Sequence, residues 1–248
     1  MILYTSDLHF GHNNIIKYDN RPFKDSDEMD HVLIELWNGR VQPEDTVYIV
    51  GDFCHRSEHT ADWYLRQLKG HKYLILGNHD GSITDNPMAM QYFEGIEKMM
   101  DITDGDKRIS LCHYPIAEWN SYFKGSWHIY GHIHNRKDET YEIMRKKDRA
   151  LNAGCMINNY MPVSFNELLK NNEIFKNSLD KSKERKIQNQ DNSKEMLQQI
   201  TDKLGFDIKE YSANDLGEAH ERDDLPNPFD KLSLEELFFL RENNYFLL

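Results

Sequence analysis

Five short apolar runs between residues 1 and 134 each end in Asp, Asn or His. In the stretch LILGNHDG, for example, aliphatic residues run directly into Gly77-Asn78-His79-Asp80. A single polar residue at a strand end is usually a loop hydrogen bonder, but that role does not account for five in succession. The residues that follow the five runs are Asp7 with His9, Asp52, Asn78, His113, and His132 with His134.

Apolar, β-branched runs alternate with helical patterns along the chain, which is typical of an α/β fold. The predicted strands are residues 2–6, 46–50, 73–76, 108–111, 128–130 and 150–153, and the predicted helices include 28–38 and 61–68. A further helix is predicted after Ser164, because Glu167 completes a capping-box pattern with it.

Composition limits the class of protein. The chain has 248 residues with 39% hydrophobic and 12% aromatic residues, which is typical of a globular protein. Its longest apolar runs fall short of the roughly 18 residues that a membrane span needs, so we expect no membrane insertion. A formal net charge of −12 argues against non-specific nucleic-acid binding. Three scattered cysteines and an N-terminus unlike a signal peptide predict a cytoplasmic location.

The composition changes near residue 170, where the chain becomes rich in Asn, Gln, Lys, Asp and Glu. We therefore predict a catalytic domain over residues 1–172 and, over 173–248, a polar linker with a mostly helical C-terminal extension. A second capping-box pattern, at Ser233 and Glu236, precedes an apolar helical run near the end. Three roles for this extension stay open: dimerisation into a homo-oligomer, a lid, or a partner-binding arm.

The repeated Asp, Asn and His positions favour a site for two divalent metal ions. Asp7 and His9 are two residues apart at a predicted strand end, so alternation should point both side chains the same way. Two ions about 3.5–4 Å apart need a bridging ligand, usually a carboxylate, and Asp52 can serve as that bridge. Manganese is the expected ion, and iron, zinc and nickel also suit oxygen and imidazole ligands.

The five motifs together resemble the calcineurin-like metallophosphoesterase superfamily, in particular its small bacterial or phage-type members. The superfamily pattern is DxH, GD, GNH followed by an acidic residue, a lone His, and GHxH, and it is matched in order from Asp7 to His134. The resemblance implies an α/β fold with a two-sheet β-sandwich flanked by helices, in four layers α-β-β-α. It also implies two sets of metal ligands: Asp7, His9, Asp52 and His134 for one ion, and Asp52, Asn78, His113 and His132 for the other.

The same resemblance implies roles for the residues after Asn78. His79 corresponds to the catalytic histidine that acts on the leaving group, and Asp80 to a carboxylate that orients it. The phosphatase branch of the superfamily extends GD to a GDxxDR-like string, whereas this chain has His55 before Arg56. Arg56 fits a phosphate-binding role, since a guanidinium can pair with phosphate oxygens, but the change at His55 leaves its orientation open.

Two further residues are candidates for substrate binding. His12 follows the first motif closely, and a phosphate contact and a surface role are both consistent with that position. Trp119 lies in an aromatic segment between His113 and His132. Its ring could stack on a nucleobase or an aryl ester, or it could pack beneath a loop.

The function that these residues favour is hydrolysis of a phosphodiester or phosphomonoester by a hydroxide that bridges two metal ions. The expected partner is a phosphate-ester substrate, and a nucleotide is one candidate. A non-catalytic metal-binding scaffold of the same fold is the first alternative, although the presence of His79 argues against it. A nuclease is the second alternative, and the acidic segment ANDLGEAHERDDLPNPFD argues against that.

Overall fold

A computed structural model of the chain describes residues 1–178, 194–205, 231–233, 236 and 240. The strands of the first part are β1 (Ile2–Thr5), β2 (Thr46–Ile49), β3 (His71–Ile75), β4 (Phe93–Glu97), β5 (Met99–Asp104), β6 (Lys107–Cys112), β7 (Trp127–Tyr130) and β8 (Ala150–Asn152). Its helices are α1 (Asn13–Tyr18), α2 (Ser26–Arg40), α3 (Ala61–Leu65), α4 (Gly81–Thr84), α5 (Pro87–Met90), α6 (Glu139–Met144) and α7 (Phe165–Asn177).

The strands form two four-stranded sheets. The first has the order β1-β2-β3-β4 and is parallel throughout. In the second, of order β5-β6-β7-β8, only the β5–β6 pair is antiparallel. Parallel neighbours end at the same edge of a sheet, so the polar residues that follow β1, β2 and β3 are brought together.

Three apolar clusters fill the spaces between the layers. The central one joins Tyr4 and Ile75 of the first sheet to Leu111 and Ile129 of the second. A second cluster lies on the other face of the first sheet and includes Trp37 of α2. A third contains Tyr130, Ala150, Tyr141, Met144 and Phe175, from β7, β8, α6 and α7. The predicted two-sheet sandwich with helices outside is confirmed.

The inner strands are apolar on both faces because both faces are covered. In β1, Leu3 packs in the cluster beside the helices, while the next residue, Tyr4, packs between the sheets. In β3, Leu74 likewise packs in the cluster beside the helices, and Ile75 packs between the sheets. Strands buried on both faces have continuous hydrophobic runs rather than alternating ones, which is why these strands were predictable.

The sequence analysis did not predict β4 and β5. Each lies at the edge of its sheet, and several residues of each are exposed. Acidic residues and Gly95 give β4 little of the β-branched character by which strands are recognised. Lys98 alone separates the two strands, so the chain passes from one sheet to the other at this residue.

Helix boundaries follow their capping residues. The predicted helix 28–38 begins at Ser26, because the Asp25 carboxylate accepts the Glu28 N–H at 2.9 Å. In α7, the predicted capping box is formed, with the Ser164 N–H donating to Glu167 at 2.8 Å. This helix continues to Asn177. The boundary predicted at residue 172 therefore falls inside α7, ahead of the buried Phe175.

The chain divides into two units, Met1–Ser178 and Leu179–Leu248. In the second unit, residues 194–204 are helical. The predicted capping box is present there, since the Ser233 N–H donates to Glu236 at 2.8 Å and the Glu236 N–H to Ser233 Oγ at 3.3 Å. The predicted polar linker and most of the C-terminal extension, with its oligomerisation role, lie outside the described residues. No helix among those described is long and apolar enough to cross a bilayer.

Candidate metal centre

The predicted ligands lie in tight turns just beyond the strands. Five of the seven adopt left-handed backbone conformations, which are uncommon for residues other than glycine. Their φ angles are 56° for Asp7, 54° for His9, 56° for Asp52, 70° for His132 and 52° for His134. Strand alternation, which we expected to align Asp7 with His9, is therefore not the cause, because β1 ends at Thr5. Such strained positions cluster at functional sites.

Four donor groups form the first cluster. Single donor atoms of Asp7, His9, Asp52 and His134 all lie within 4.8 Å of one another. His9 Nε2 is 3.3 Å from His134 Nε2 and 3.5 Å from Asp52 Oδ2. His134 Nε2 is in turn 3.5 Å from Asp7 Oδ1. Two carboxylates and two imidazoles that converge in this way form a suitable site for a divalent ion.

A second cluster adjoins the first and shares Asp52 with it. His113 Nε2 is 3.5 Å from Asp52 Oδ2 and 3.1 Å from Asn78 Oδ1. His132 Nδ1 is 2.9 Å from the same Asn78 oxygen. The structure thus brings together the second predicted ligand set as well. Whether these residues bind two ions stays a prediction.

Asp52 is the residue common to both clusters. Its Oδ2 lies 3.5 Å from a ring nitrogen of His9 and 3.5 Å from one of His113, while Oδ1 accepts the His79 N–H at 2.9 Å. Burial, with Asp7 and Asp80 nearby, raises the pKa of Asp52 to about 6, although His113 opposes the shift. A cation at Oδ2 would offset this cost of burying a carboxylate, so the residues fit a metal pair.

The histidines of the site are suited to ligation. Burial, together with His134 and Arg21, lowers the pKa of His9 well below its usual value. Burial and the nearby His113 also lower the pKa of His132. Both rings are therefore neutral near pH 7, which is the form in which imidazole binds metals.

Outer contacts fix the orientation of the ligand rings. His113 Nδ1 is 2.9 Å from the Val50 carbonyl, which leaves Nε2 to face Asp52. His134 Nδ1 is 2.7 Å from Asp19 Oδ2, and this hydrogen bond, with Asp7, raises the pKa of His134 although burial lowers it. Second contacts of this kind set the tautomer and the direction of a ligating imidazole.

Asp19 is held in turn by Arg21. The guanidinium donates to Asp19 Oδ2 at 3.0 and 3.2 Å and to the carbonyls of Leu8 at 2.9 Å and Asp7 at 2.9 Å. Both Asp19 and Arg21 are buried. The sequence analysis missed this pair, because the segment KYDNRPF matches none of the metal-binding motifs.

Asp80 contacts the backbone around Asp52. Its two oxygens accept backbone N–H groups, from Asp52 at 2.9 Å, Phe53 at 2.8 Å and Gly77 at 2.7 Å. Its carboxylate is buried, and these contacts join the turn after β2 to the turn after β3. Asp80 therefore holds the backbone around Asp52, and its predicted role of orienting the His79 ring stays a prediction.

His79 lies half-buried beside the two clusters. Its ring centroid is 4.0 Å from that of His55 and 5.5 Å from that of His9. His12 is 4.8 Å from His55 and 5.5 Å from His9. Four imidazoles therefore form a closed ring of neighbours next to the metal ligands, and His55 is a member that sequence reasoning did not assign to the site.

Two of the predicted substrate-binding residues line one cavity. His12 and the exposed Arg56 border a space of about 370 Å³, together with Asp30, Ser57 and Tyr64. The pKa of His12 is lowered to about 4 by burial, with His55, His79 and Arg56 nearby. His12 is thus a neutral residue in the wall of this cavity. A substrate-binding role for His12 and Arg56 remains a prediction.

Trp119 has a structural position. Only 6% of it is exposed, and its indole N–H donates to the Ser126 carbonyl at 3.1 Å. Its ring stacks on the buried His128 at 5.2 Å between centroids. The ring is therefore enclosed within the protein, which does not fit the predicted contact with substrate.

Comparison with known proteins agrees with this geometry. The family model for calcineurin-like phosphoesterases matches residues 1–102. An uncharacterized protein of Methanocaldococcus jannaschii is 34% identical over 171 residues, which are 68% of this chain and 89% of the relative. The chain belongs to the calcineurin-like phosphoesterase family. Members of this family are metal-dependent phosphoesterases, and the first donor cluster is a candidate metal site.

Other relatives of this phosphoesterase are a phage protein and a solved structure. The gene 66 protein of Mycobacterium phage L5 is 30% identical over 172 residues, covering 58% of this chain and 82% of the relative. The crystal structure of a protein of unknown function from Aquifex aeolicus is similar with a TM-score of 0.55 and 30% identity. That similarity covers 68% of this chain and 98% of the Aquifex chain.

Proposed function

We propose that this phosphoesterase hydrolyses a phosphodiester or phosphomonoester at a centre of two divalent cations. The observation that carries the proposal is the position of Asp52 Oδ2, 3.5 Å from a ring nitrogen of each donor cluster. A carboxylate common to two donor clusters is the bridging element that a two-metal site requires. Manganese is the proposed ion, with iron, zinc and nickel as alternatives.

The two clusters divide the proposed ligands. One ion would be held by Asp7, His9, Asp52 and His134, and the other by Asp52, Asn78, His113 and His132. When bound, such a pair supplies Lewis-acid polarisation of the phosphoryl oxygens and activates a water for attack. The neutral Asn78 limits the negative charge around the site, which preserves this electrophilic character.

His79 is the proposed leaving-group acid. Its backbone N–H donates to Asp52 Oδ1 at 2.9 Å, and its ring centroid lies 5.5 Å from that of the proposed ligand His9. An alkoxide that departs from phosphorus needs a proton or a charge-assisted hydrogen bond, and an imidazolium supplies either near neutral pH. A scaffold protein would not need this residue.

The cavity that contains His12 and Arg56 is the proposed substrate-binding region. Arg56 would pair with a phosphate oxygen, since guanidinium groups bind phosphate in a bidentate manner. The substrate is a phosphate ester, and a nucleotide is one candidate. The three cysteines are free and buried, which is consistent with the proposed cytoplasmic location.

The test is hydrolysis of bis(4-nitrophenyl) phosphate and of 4-nitrophenyl phosphate by the manganese-loaded full-length chain, alongside a calorimetric count of bound Mn²⁺. The wild-type protein should bind two ions and turn over at least one ester. Asp52→Asn should lower turnover by more than the roughly 10- to 100-fold expected for losing an outer partner of a ligand. The ratio of the two rates measures the preference for diester or monoester.

Asp106→Asn is the matched control, because Asp106 is highly exposed in the turn between β5 and β6. It should leave both turnover and Mn²⁺ stoichiometry unchanged. A wild-type protein that binds one ion only would contradict the two-metal proposal. Two bound ions without turnover of either ester would favour the scaffold alternative.

A further inference from the structure

Tyr114 is an exposed aromatic residue beside the second donor cluster. It follows the proposed ligand His113 directly, and 46% of it is exposed. Its ring meets that of His132 at 4.8 Å between centroids and an interplanar angle of 60°. It meets the ring of His113 at 5.2 Å and 76°. Tyr114 thus packs against two proposed ligands while almost half of it stays open to solvent.

The second cluster is the more open of the two. Its Asn78 is exposed and its His132 is half-buried, whereas three of the four donors of the first cluster are buried. A substrate can therefore approach the second cluster past Asn78 and His132. Because Tyr114 contacts His132, its exposed ring borders this approach.

The backbone on both sides of Tyr114 is anchored. The His113 carbonyl accepts a backbone N–H at 2.9 Å from the first residue after β7. The Ile116 N–H donates to Nε2 of the buried His128 at 3.2 Å. Between these bonds, Pro115 has a fixed φ and restricts the backbone of the residue before it. Tyr114 is therefore held in place before any ligand arrives, which lowers the entropy cost of binding to it.

His79 and Tyr114 lie on different sides of the centre. The His79 ring meets His9 of the first cluster, at 5.5 Å between centroids. The Tyr114 ring meets two histidines of the second cluster. In the described part of the chain, no ring contacts both His79 and Tyr114. A phosphate ester bound at the centre would therefore have the proposed leaving-group acid on one side and an exposed aromatic ring on another.

We propose that Tyr114 determines specificity by binding the ester group that stays on phosphorus, and that the substrate is a phosphodiester whose retained group carries an aromatic ring. The inference rests on the proposed function, because it names the substrate class of the same site. Hydrolysis adds the oxygen of water to phosphorus, breaks the P–O bond to the leaving group and gives the departing oxygen a proton through His79. The other ester group remains on the product.

The chemistry of a tyrosine ring selects the retained group. Aromatic rings attract one another beyond the area that they bury. A nucleobase is one such ring, and every base has a face that can stack on an aromatic side chain. A monoester has no retained group, so it gains nothing from Tyr114.

The experiment compares three esters that all release 4-nitrophenolate. They are bis(4-nitrophenyl) phosphate, methyl 4-nitrophenyl phosphate and 4-nitrophenyl phosphate, in which the retained group is an aryl ring, a methyl group and absent, respectively. With full-length, Mn²⁺-loaded protein, Tyr114→Ala should raise KM about 3- to 10-fold for the bis ester, as expected for the loss of one aromatic contact. For the other two esters KM should be unchanged.

Two variants and a metal titration separate substrate binding from a structural role. Tyr114→Phe keeps the ring and should match the wild type on all three esters. Phe123→Ala removes an exposed ring outside both clusters, and this control should also behave like the wild type. The calorimetric affinity of Tyr114→Ala for Mn²⁺ should be unchanged, because the tyrosine ring is not among the proposed ligands. A ring that only shields His113 and His132 would weaken Mn²⁺ binding and affect every ester alike.

A readout without turnover is the binding of diphenyl phosphate to the Mn²⁺-loaded His79→Ala variant, measured by calorimetry. Adding Tyr114→Ala to this background should weaken binding by the same 3- to 10-fold, and adding Tyr114→Phe should not.

Four results would each overturn the proposal: an unchanged KM for the bis ester, equal increases on all three esters, weakened Mn²⁺ binding, or a Tyr114→Phe variant that behaves like Tyr114→Ala. A wild-type protein that hydrolyses only the monoester would overturn it as well. A wild-type protein that hydrolyses none of the esters would instead overturn the proposed function. The diphenyl phosphate titration would still decide whether Tyr114 binds an aryl ester group.

Discussion

Asp19 Oδ2 lies 2.7 Å from His134 Nδ1, and this contact directs the other ring nitrogen into the first donor cluster. His134 Nε2 then faces Asp7 Oδ1 at 3.5 Å and His9 Nε2 at 3.3 Å. The Arg21 guanidinium lies 3.0 Å from the same Asp19 oxygen. The proposed ligand is therefore oriented by a buried ion pair that none of the metal-binding motifs includes.

Replacing Asp19 should weaken metal binding without removing a ligand. Asp19→Asn keeps the size of the side chain but removes the charge that favours the Nδ1-protonated ring of His134. We expect the affinity for Mn²⁺, measured by calorimetry, to fall about 10- to 100-fold. The melting temperature should also fall, because Arg21 is left buried without its counter-charge. An unchanged Mn²⁺ affinity would show that Asp19 does not orient His134.

A glycine packed against the site should tolerate no side chain. A Cβ built on Gly131 would lie 1.9 Å from Ser6 Oγ and 2.8 Å from Asp7 Oδ2. Because backbone turns hold both groups, Gly131→Ala should displace Asp7 and reduce Mn²⁺ binding and turnover together. Gly39→Ala is the matched control, because Gly39 lies in α2 with open space around it. That variant should be more stable by about 0.5–1 kcal/mol, as measured by urea unfolding, and fully active.

Buried His128 should make the protein less stable in acid. Burial lowers its pKa to about 4, and its ring contacts the Ser110 carbonyl at 3.0 Å and accepts the Ile116 N–H at 3.2 Å. The unfolded chain, with a histidine pKa near 6.5, binds more protons than the folded protein below that pH. The neutral His128 ring therefore contributes to the free energy of unfolding above about pH 6.5, and this contribution is lost as the pH falls towards 4.

Because of His128, the free energy of unfolding should fall by about 2 kcal/mol between pH 7 and pH 5. Urea unfolding of the wild type and of His128→Phe at the two pH values measures it. The variant should be less stable at pH 7, since two backbone groups lose their partner, but its pH dependence should be shallower by that amount. Parallel pH profiles would show that His128 does not remain neutral in the folded state.

Trp119 should affect stability and not substrate binding. Trp119→Phe removes the N–H that donates to the Ser126 carbonyl, while Arg149 still donates to the same oxygen at 3.2 Å. We expect a loss of about 1 kcal/mol in unfolding free energy and an unchanged KM on every ester tested. A rise in KM for aryl or nucleotide esters alone would restore the substrate-stacking role that the sequence suggested.

Arg56 is the contrasting case, because it is exposed and lines the cavity next to His12. Arg56→Ala should raise KM about tenfold, as expected for the loss of one charged hydrogen bond to phosphate, with a smaller effect on kcat. Arg66→Ala, at the end of α3, serves as the matched arginine control for steady-state kinetics. If both variants leave KM unchanged, phosphate is bound by other groups.

The ligand types and the inner strands could be predicted from the sequence for a common reason. Residues such as Leu74 and Ile75 must be apolar because both faces of their sheet are covered, and the polar residues that follow them, such as Asn78, contrast sharply with such a run. Edge strands lack that contrast. β4 and β5 are partly exposed and contain charged residues, so their pattern resembles that of a loop.

The five motifs could be recognised in the sequence because the residues of each motif are adjacent, and together they indicated the family, the candidate donor residues and, through the resemblance, the two-sheet α/β architecture. The structure adds that Asp19 and Arg21 hold His134 and that Asp80 accepts three backbone N–H groups. It also places the ring centroid of His55 4.0 Å from that of His79. These contacts join segments that are far apart in the sequence. They depend on how the whole chain folds, so the residues of one segment do not predict them.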